Sequence, residues 1–278
     1  MRHPPVVLGI VGKPVAEREA LAAGVTQLLG GAQRVARLSI GDYRRFNRAD
    51  GVKEAVTAAH PMGLWLDIVE QHLGLLKRGE AVLRPTYNRQ RDAFEPAAYV
   101  EPRPFVIVDG ELGFFTQGLR NNLDIRVFCS SDEPVAEWQG VLASDAMAYV
   151  ESQRKWADLV VEPLPAGGVN GKKGAGLILR PTLPHLELEA LISAAGEPTA
   201  MRLELARDMG LPVDRVVIDA AISRQAAASF EKRLVAEMAA DYRHDAAESA
   251  LNEAKNGAES LVLTQLLVTL FVLKVASG

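Results

Sequence analysis

The chain has 278 residues, 48% of them hydrophobic, which is ample for a continuous core in one large α/β domain or two small ones. Its 31 basic and 35 acidic side chains leave a net charge of −4, so no global field draws it to nucleic acid or to an anionic membrane, and any anion site has to be local. A single cysteine, Cys129, excludes an internal disulfide, and its neighbours in Arg126-Val127-Phe128-Cys129 point to a buried thiol.

Met1 to Val11 holds an Arg, a His and two prolines but too short an apolar run for a secretory signal, so a cytoplasmic location is the expectation. Val6 to Val11 is apolar and ends at Gly12, and the apolar positions of Glu17 to Leu29 recur at helical spacing, which predicts strand, turn, helix. Arg34 to Ile40 predicts a second strand, leading into the polar stretch Gly41 to Arg48. Met62 to Leu76 predicts an amphipathic helix stopped by Gly79, and a proline-punctuated segment, Leu83 to Pro104, follows without a clear period. Phe105 to Val108, ending at Asp109-Gly110, and Leu123 to Phe128 predict strands on either side of a turn-rich stretch. Short apolar strands alternating with helices argue for an α/β fold, a mostly parallel sheet with helices on both faces.

Glu133 to Val150 predicts a helix and Ala157 to Leu164 a strand. The loop Pro165 to Gly174 is rich in glycine and lysine, but its flanks look like strands with no helix N-terminus to focus charge, so a hairpin loop is expected there rather than a phosphate cradle. Leu177 to Arg180, Ala200 to Leu205 and Arg215 to Ile218 predict strands, and Gln225 to Ala239 and Leu261 to Leu273 predict helices. The largely apolar run Leu261 to Val275 carries Thr264, Gln265 and Thr269 and falls short of the roughly 20 residues of a membrane span, so a buried helix is expected. There is no internal repeat and no low-complexity tract.

A strand that ends at glycine and opens a helix is where a phosphate loop, G-x-x-x-x-G-K-[ST], belongs. The window here reads Gly12-Lys13-Pro14-Val15-Ala16-Glu17-Arg18-Glu19. The spacing fits, but Glu17 stands at the second glycine, Arg18 at the lysine and Glu19 at the magnesium-binding hydroxyl. A side chain at the second glycine obstructs the close approach of backbone to phosphate, and Pro14 removes an N–H donor. At an effective dielectric near 20, a carboxylate about 4 Å from a phosphate charge is repelled by roughly 4 kcal/mol per charge pair. Alone, the window leaves two readings open, a rewritten phosphate loop or a coincidental turn glycine.

Other segments bear on that choice. Gly41-Asp42-Tyr43-Arg44-Arg45-Phe46-Asn47-Arg48 resembles the substrate loop of phosphoribulokinases. Asp67 after His60-Pro61, Arg84-Pro85-Thr86-Tyr87-Asn88, Val106-Ile107-Val108-Asp109-Gly110, Leu123-Asp124-Ile125, Lys155-Trp156-Ala157-Asp158 and Asn256-Gly257 are similar to the phosphoribulokinase and uridine kinase family in the expected order. The resemblance implies a three-layer fold of the P-loop NTPase kind in one domain over residues 1–278, with a kinase-like core at 1–164 and a C-terminal extension of the sheet and helices at 165–278. For active members it implies transfer of the ATP γ-phosphate to ribulose 5-phosphate.

Carried over residue by residue, the resemblance gives Asp42 as the base that accepts the sugar hydroxyl proton, Arg48 as a cation for the sugar phosphate, and Asp109 as the magnesium-holding acid. Asp145 matches the acid of an Arg-Asp pair after Glu137-Trp138, with Ser144 in place of the arginine. Arg44 stands where the family has a His, and Tyr87 and Asn88 complete the substrate side. Each has a plainer reading too: turn-forming aspartate for Asp42 and Asp109, a solvated cation for Arg48, an exposed helix acid for Asp145, core packing for Tyr87.

Departures from the family concentrate where ATP would lie: the phosphate loop, Ser144, His60, and a segment between Asp145 and Lys155 too short for the basic lid. The leading expectation is therefore a non-catalytic paralogue needing no cofactor, which binds an active kinase paralogue, a second copy of itself through sheet edges, or a sugar phosphate, and neither nucleic acid nor membrane. The alternative is an active kinase using Mg and ATP, with Arg18 in the lysine's role.

Overall fold

Strand β1, Val6–Gly12, is buried at all but its first residue, as expected of an apolar run inside a parallel sheet. The computed structural model describes residues 4–13, 15–131, 140–164, 173–193, 200–239 and 259–277. They divide into two compact units, Met1–Glu19 with Ala32–Cys129 and Glu133–Ala157, and Ala20–Gly31 with Ser130–Asp132 and Asp158–Gly278.

In chain order, β1 is followed by α1 (Val15–Leu28), β2 (Val35–Ser39), α2 (Arg48–Lys53), α3 (Leu66–Lys77), β3 (Val82–Asn88), β4 (Ala93–Val100), β5 (Phe105–Gly110), α4 (Gln117–Asn122), β6 (Ile125–Cys129) and α5 (Val141–Asp145). The first unit's sheet runs β2-β5-β1-β6, and every pairing in it is parallel. Val11 pairs with Gly110 and Ser39 with Asp109, which sets the carboxyl ends of β1, β2 and β5 side by side. In open α/β sheets that edge is where ligands bind. Beside it, β3 and β4 form an antiparallel hairpin with a register shift between Arg84 and Thr86.

The second unit contains β7 (Leu159–Leu164), β8 (Gly174–Leu179), α6 (Leu188–Ser193), β9 (Met201–Asp208), β10 (Leu211–Ile218), α7 (Arg224–Ala239) and α8 (Glu259–Ser277). Its strands run β7-β8-β10-β9, all antiparallel. By length and composition α8 suffices to cross a membrane, but 67% of its most apolar window is buried inside the protein, as in a core helix. Its polar residues are absorbed: the Thr264 and Thr269 hydroxyls donate to Ser260 and Gln265 carbonyls, and Gln265 Nε2 donates to the Ala20 carbonyl at 3.0 Å.

Several boundaries differ from the sequence reading. Helix α1 opens at Val15, two residues before Glu17, and α3 opens at Leu66 because Pro61–Gly63 forms a separate 3-10 turn capped by the His60 side chain. The unassigned segment Leu83 to Pro104 is mostly the β3–β4 hairpin, whose Leu83, Phe94 and Tyr99 stay exposed and so blur the alternation. The stretch read as the helix Glu133 to Val150 is described only from residue 140, where α5 gives way to a π turn, Ala146–Val150, and a 3-10 turn, Glu151–Trp156. Pro14, Glu137-Trp138, most of the loop Pro165 to Gly174, and Asn256-Gly257 lie outside the described residues. Strands β7 and β8 are antiparallel, as the hairpin expectation requires.

Candidate active site

Gly12 closes β1 with φ +108°, and a Cβ there would lie 2.1 Å from the Cys129 carbonyl oxygen, so only glycine fits. The Lys13 N–H donates to that same carbonyl at 3.0 Å and extends the sheet pairing instead of facing outward. Because α1 begins at Val15, Glu17, Arg18 and Glu19 are all helical. Arg18 is 1% exposed, and its Nη1 donates to the Gly12 carbonyl at 2.7 Å, so the guanidinium folds back beneath the turn. Its Nε is buried without a hydrogen-bond partner. Glu17 is exposed in the first helical turn, where the helix dipole favours it. Glu19 accepts from Arg89 Nη1 at 3.0 Å.

Lys13 is buried, with Nζ 3.8 Å from the Glu111 carboxylate. Burial pushes the Glu151 carboxyl up, against the pull of Arg154 and Lys13. The turn after β5 is held by Gln153, which accepts the Phe114 N–H and donates to the Glu111 and Tyr149 carbonyls, each at 2.7 Å. The Cys129 thiol is buried and pushed up to about 12, burial outweighing the opposing charge of Arg18.

The two aspartates singled out by sequence come together at the carboxyl edge. Asp109 is the penultimate residue of β5, is 2% exposed, and is ion-paired to Arg37 Nη2 of β2 at 2.9 Å. Asp42 closes the 3-10 turn Ile40–Asp42 after β2; its carboxylate accepts from Arg84 Nη1 and from the Tyr87 N–H. Burial raises the Asp42 pKa, and the charge of Asp109 adds to the rise, while Arg84, the Tyr87 N–H and Arg89 oppose it. Next to it, the buried Tyr43 hydroxyl meets His72 Nδ1 at 3.0 Å; burial raises the phenol and lowers the imidazole, so this pair is neutral.

The substrate-side residues gather around the hairpin. Arg44 faces Leu64 in an antiparallel bridge, in which the Arg45 N–H donates to the Gly63 carbonyl and the Trp65 N–H to the Tyr43 carbonyl, and it lies over the Tyr87 ring at 5.1 Å. Tyr87 is buried at 5% exposure, and its hydroxyl donates to Asp92, whose carboxylate also accepts the Arg48 N–H at 3.0 Å. The Arg48 guanidinium donates to the Arg89 carbonyl at 3.1 Å. Asn88 builds the hairpin turn, accepting from the Gln90 and Arg91 N–H groups and donating to Glu95. Asp145 accepts the Thr57 hydroxyl at 2.7 Å.

Arg37, Arg84, Arg89 and Asp92 were not singled out by the sequence reading. Arg84 lay inside a quoted segment, but partners 42 residues apart leave no local spacing to read. Among the described residues, no group of three or more His, Cys, Asp or Glu side chains is placed to hold a metal ion.

Residues 35–143, from β2 into α5, match the Phosphoribulokinase / Uridine kinase family. The chain is 25% identical to a phosphoribulokinase of Synechocystis over 195 residues, 63% of this chain and 58% of the relative. It is 24% identical to a uridine kinase of Chloroflexus aggregans over 194 residues, 61% of this chain and 91% of the relative. A chloroplastic phosphoribulokinase of Triticum aestivum is covered over 49% of its length, so the chain spans about half of the phosphoribulokinases it matches. Among solved structures, a phosphoribulokinase from Rhodobacter spheroides is similar in fold over 100% of both chains, with a TM-score of 0.62 and 10% identity. The fold is thus the P-loop kinase type, a mostly parallel sheet flanked by helices.

Proposed function

We propose that the chain, which matches the phosphoribulokinase / uridine kinase family over residues 35–143, is a non-catalytic relative of that family whose role is binding or regulation. The observation that carries this reading is Arg18: its guanidinium sits beneath the turn on the Gly12 carbonyl, and the helix already runs from Val15. A triphosphate held at this place would need outward N–H groups and a mobile cation. Lys13 gives its N–H to Cys129, and Glu17 and Glu19 add negative charge at the helix start. The donor set suits a magnesium ion poorly as well. Asp109 is neutralised by Arg37, and position 19 offers a carboxylate bound to Arg89 in place of a hydroxyl.

A partner on this reading is an active kinase paralogue, a second copy of the chain, or a sugar phosphate, and a cytoplasmic location is part of the proposal. Calorimetric titration of the purified protein with Mg-ATP is expected to give no heat of binding up to millimolar nucleotide; micromolar affinity would overturn the reading. The combined substitution Glu17→Gly, Arg18→Lys and Glu19→Ser is expected to gain weak nucleotide affinity without turnover.

A second reading, an active ATP-dependent kinase acting on ribulose 5-phosphate or a related sugar or nucleoside, is favoured by one observation. Asp42 lies at the carboxyl edge with a raised pKa, as a general base needs. A coupled assay with ribulose 5-phosphate and several nucleotides, showing activity that Asp42→Asn abolishes, would establish that reading over the first.

A further inference from the structure

Between α2, the Arg44 loop and α5, the first unit holds a cavity of ≈ 450 Å³. It is distinct from the aspartate pair, since neither Asp42 nor Asp109 lines it. Its walls are apolar over most of their extent, with Phe46, Val56, Leu64 and Leu142 among the lining residues and Arg44 as a half-buried cation beside them. The other cation at the wall, Arg48, is exposed and committed to the Arg89 carbonyl.

Arg44 differs from Arg37, Arg84 and Arg89 in its charge partners. Arg37, Arg84 and Arg89 each have a carboxylate partner, whereas no described carboxylate forms an ion pair with Arg44; its Nε, like that of Arg84, is buried without a hydrogen bond. The nearby charge of Asp92 is shared between the Tyr87 hydroxyl and the Arg48 N–H. The Tyr87 ring lies 5.1 Å from the guanidinium carbon, which leaves an incompletely compensated cation at an apolar wall. The rim carries strain as well: Ala55 closes α2 with φ 53°, a left-handed conformation that alanine adopts at a cost.

We propose that this cavity binds a small amphipathic anion, a molecule with an aromatic or aliphatic body and one carboxylate or sulfonate group, the anionic end on Arg44 and the body against Phe46, Val56, Leu64 and Leu142. A cavity of this size holds one such molecule. A pentose phosphate, with a hydroxyl on nearly every carbon, would leave those hydroxyls unpaired against the same walls. The proposal goes beyond the reading of the nucleotide site and does not use it.

The test is fluorescence titration of the native chain with 8-anilinonaphthalene-1-sulfonate, followed by displacement with 4-phenylbutyrate or with ribose 5-phosphate. Saturable binding is expected, displaced by phenylbutyrate and not by ribose 5-phosphate. Arg44→Gln is expected to weaken binding about tenfold, the size of one charge-assisted contact, with Arg44→Lys restoring part of it. Leu142→Trp, on a different element, fills the cavity and is expected to remove binding, while Arg103→Gln on the surface leaves it unchanged. Circular dichroism and melting temperature establish that each variant is folded. Absence of saturable binding, displacement by ribose 5-phosphate as readily as by phenylbutyrate, or affinity unchanged in both Arg44→Gln and Leu142→Trp would each overturn the proposal.

Discussion

Replacing Arg84 with methionine isolates the ion pair that holds Asp42 at the carboxyl edge. The two side chains are 21% and 16% exposed, so most of the water that would solvate either charge is gone. Removing one partner of a fully buried pair costs ~3–5 kcal/mol, and the water that remains here reduces the expected loss to ~2–4 kcal/mol at pH 7.5. Methionine keeps most of the volume, so a cavity contributes little. The pH dependence carries a sign. Arg84 opposes the rise in the Asp42 pKa, so its removal lifts that pKa further above 3.8. A carboxyl whose folded pKa exceeds its unfolded value binds more protons in the folded state between the two. Stability is therefore full below the unfolded value, falls as pH rises through that window, and levels off above the folded pKa. The deficit of Arg84→Met should be largest at neutral pH and shrink on acidification. Adding Asp42→Asn should recover most of it, with a coupling of about 2 kcal/mol in the double-mutant cycle. Urea unfolding of the four proteins between pH 5 and pH 8 measures all of this. A deficit under about 0.5 kcal/mol, or one that does not change with pH, would refute the buried pair.

At the end of β1, Gly12→Ala combines a φ of +108° with a Cβ 2.1 Å from a main-chain oxygen, and a loss above about 3 kcal/mol is expected in urea unfolding. By contrast, Ala55→Gly relieves a left-handed alanine and should stabilise by about 0.5–1 kcal/mol, read as a higher melting temperature. The Cys129 thiol, buried and pushed up to about 12, should resist an aromatic disulfide reagent at pH 8 in the native protein and titrate as one thiol per chain in denaturant. The Glu19–Arg89 pair is 49% and 43% exposed, so Glu19→Gln should move the unfolding midpoint by less than the equivalent of about 0.5 kcal/mol.

Apolar runs and helical spacing located β1, β2, β5, β6 and the helices α1, α3, α7 and α8, because these elements bury one face or all of themselves and the pattern follows burial. The hairpin β3–β4 escaped that reading. Its prolines and exposed Phe94 and Tyr99 carry little alternation, yet it supplies Arg84 and the Tyr87 N–H to Asp42. In the same way, α4 lay in a stretch read as turns; Thr116 caps it by accepting the Leu119 N–H, a short local signal easily taken for a turn.

What the sequence by itself determined is the identity of the residues at 12–19, the order of the family motifs, and the placement of two aspartates near the carboxyl ends of strands. Those are matters of spacing, and spacing survives without coordinates. Only the tertiary structure decided which way charges face. Arg18 stands at the phosphate-loop lysine's place in the sequence, but its guanidinium is sealed on the Gly12 carbonyl. Asp109 and Asp42 read as available acids, but arginines 72 and 42 residues away in sequence neutralise them. Ion pairing depends on distances between separate elements, which are set when β2, β5 and the hairpin pack together, and no local pattern records them.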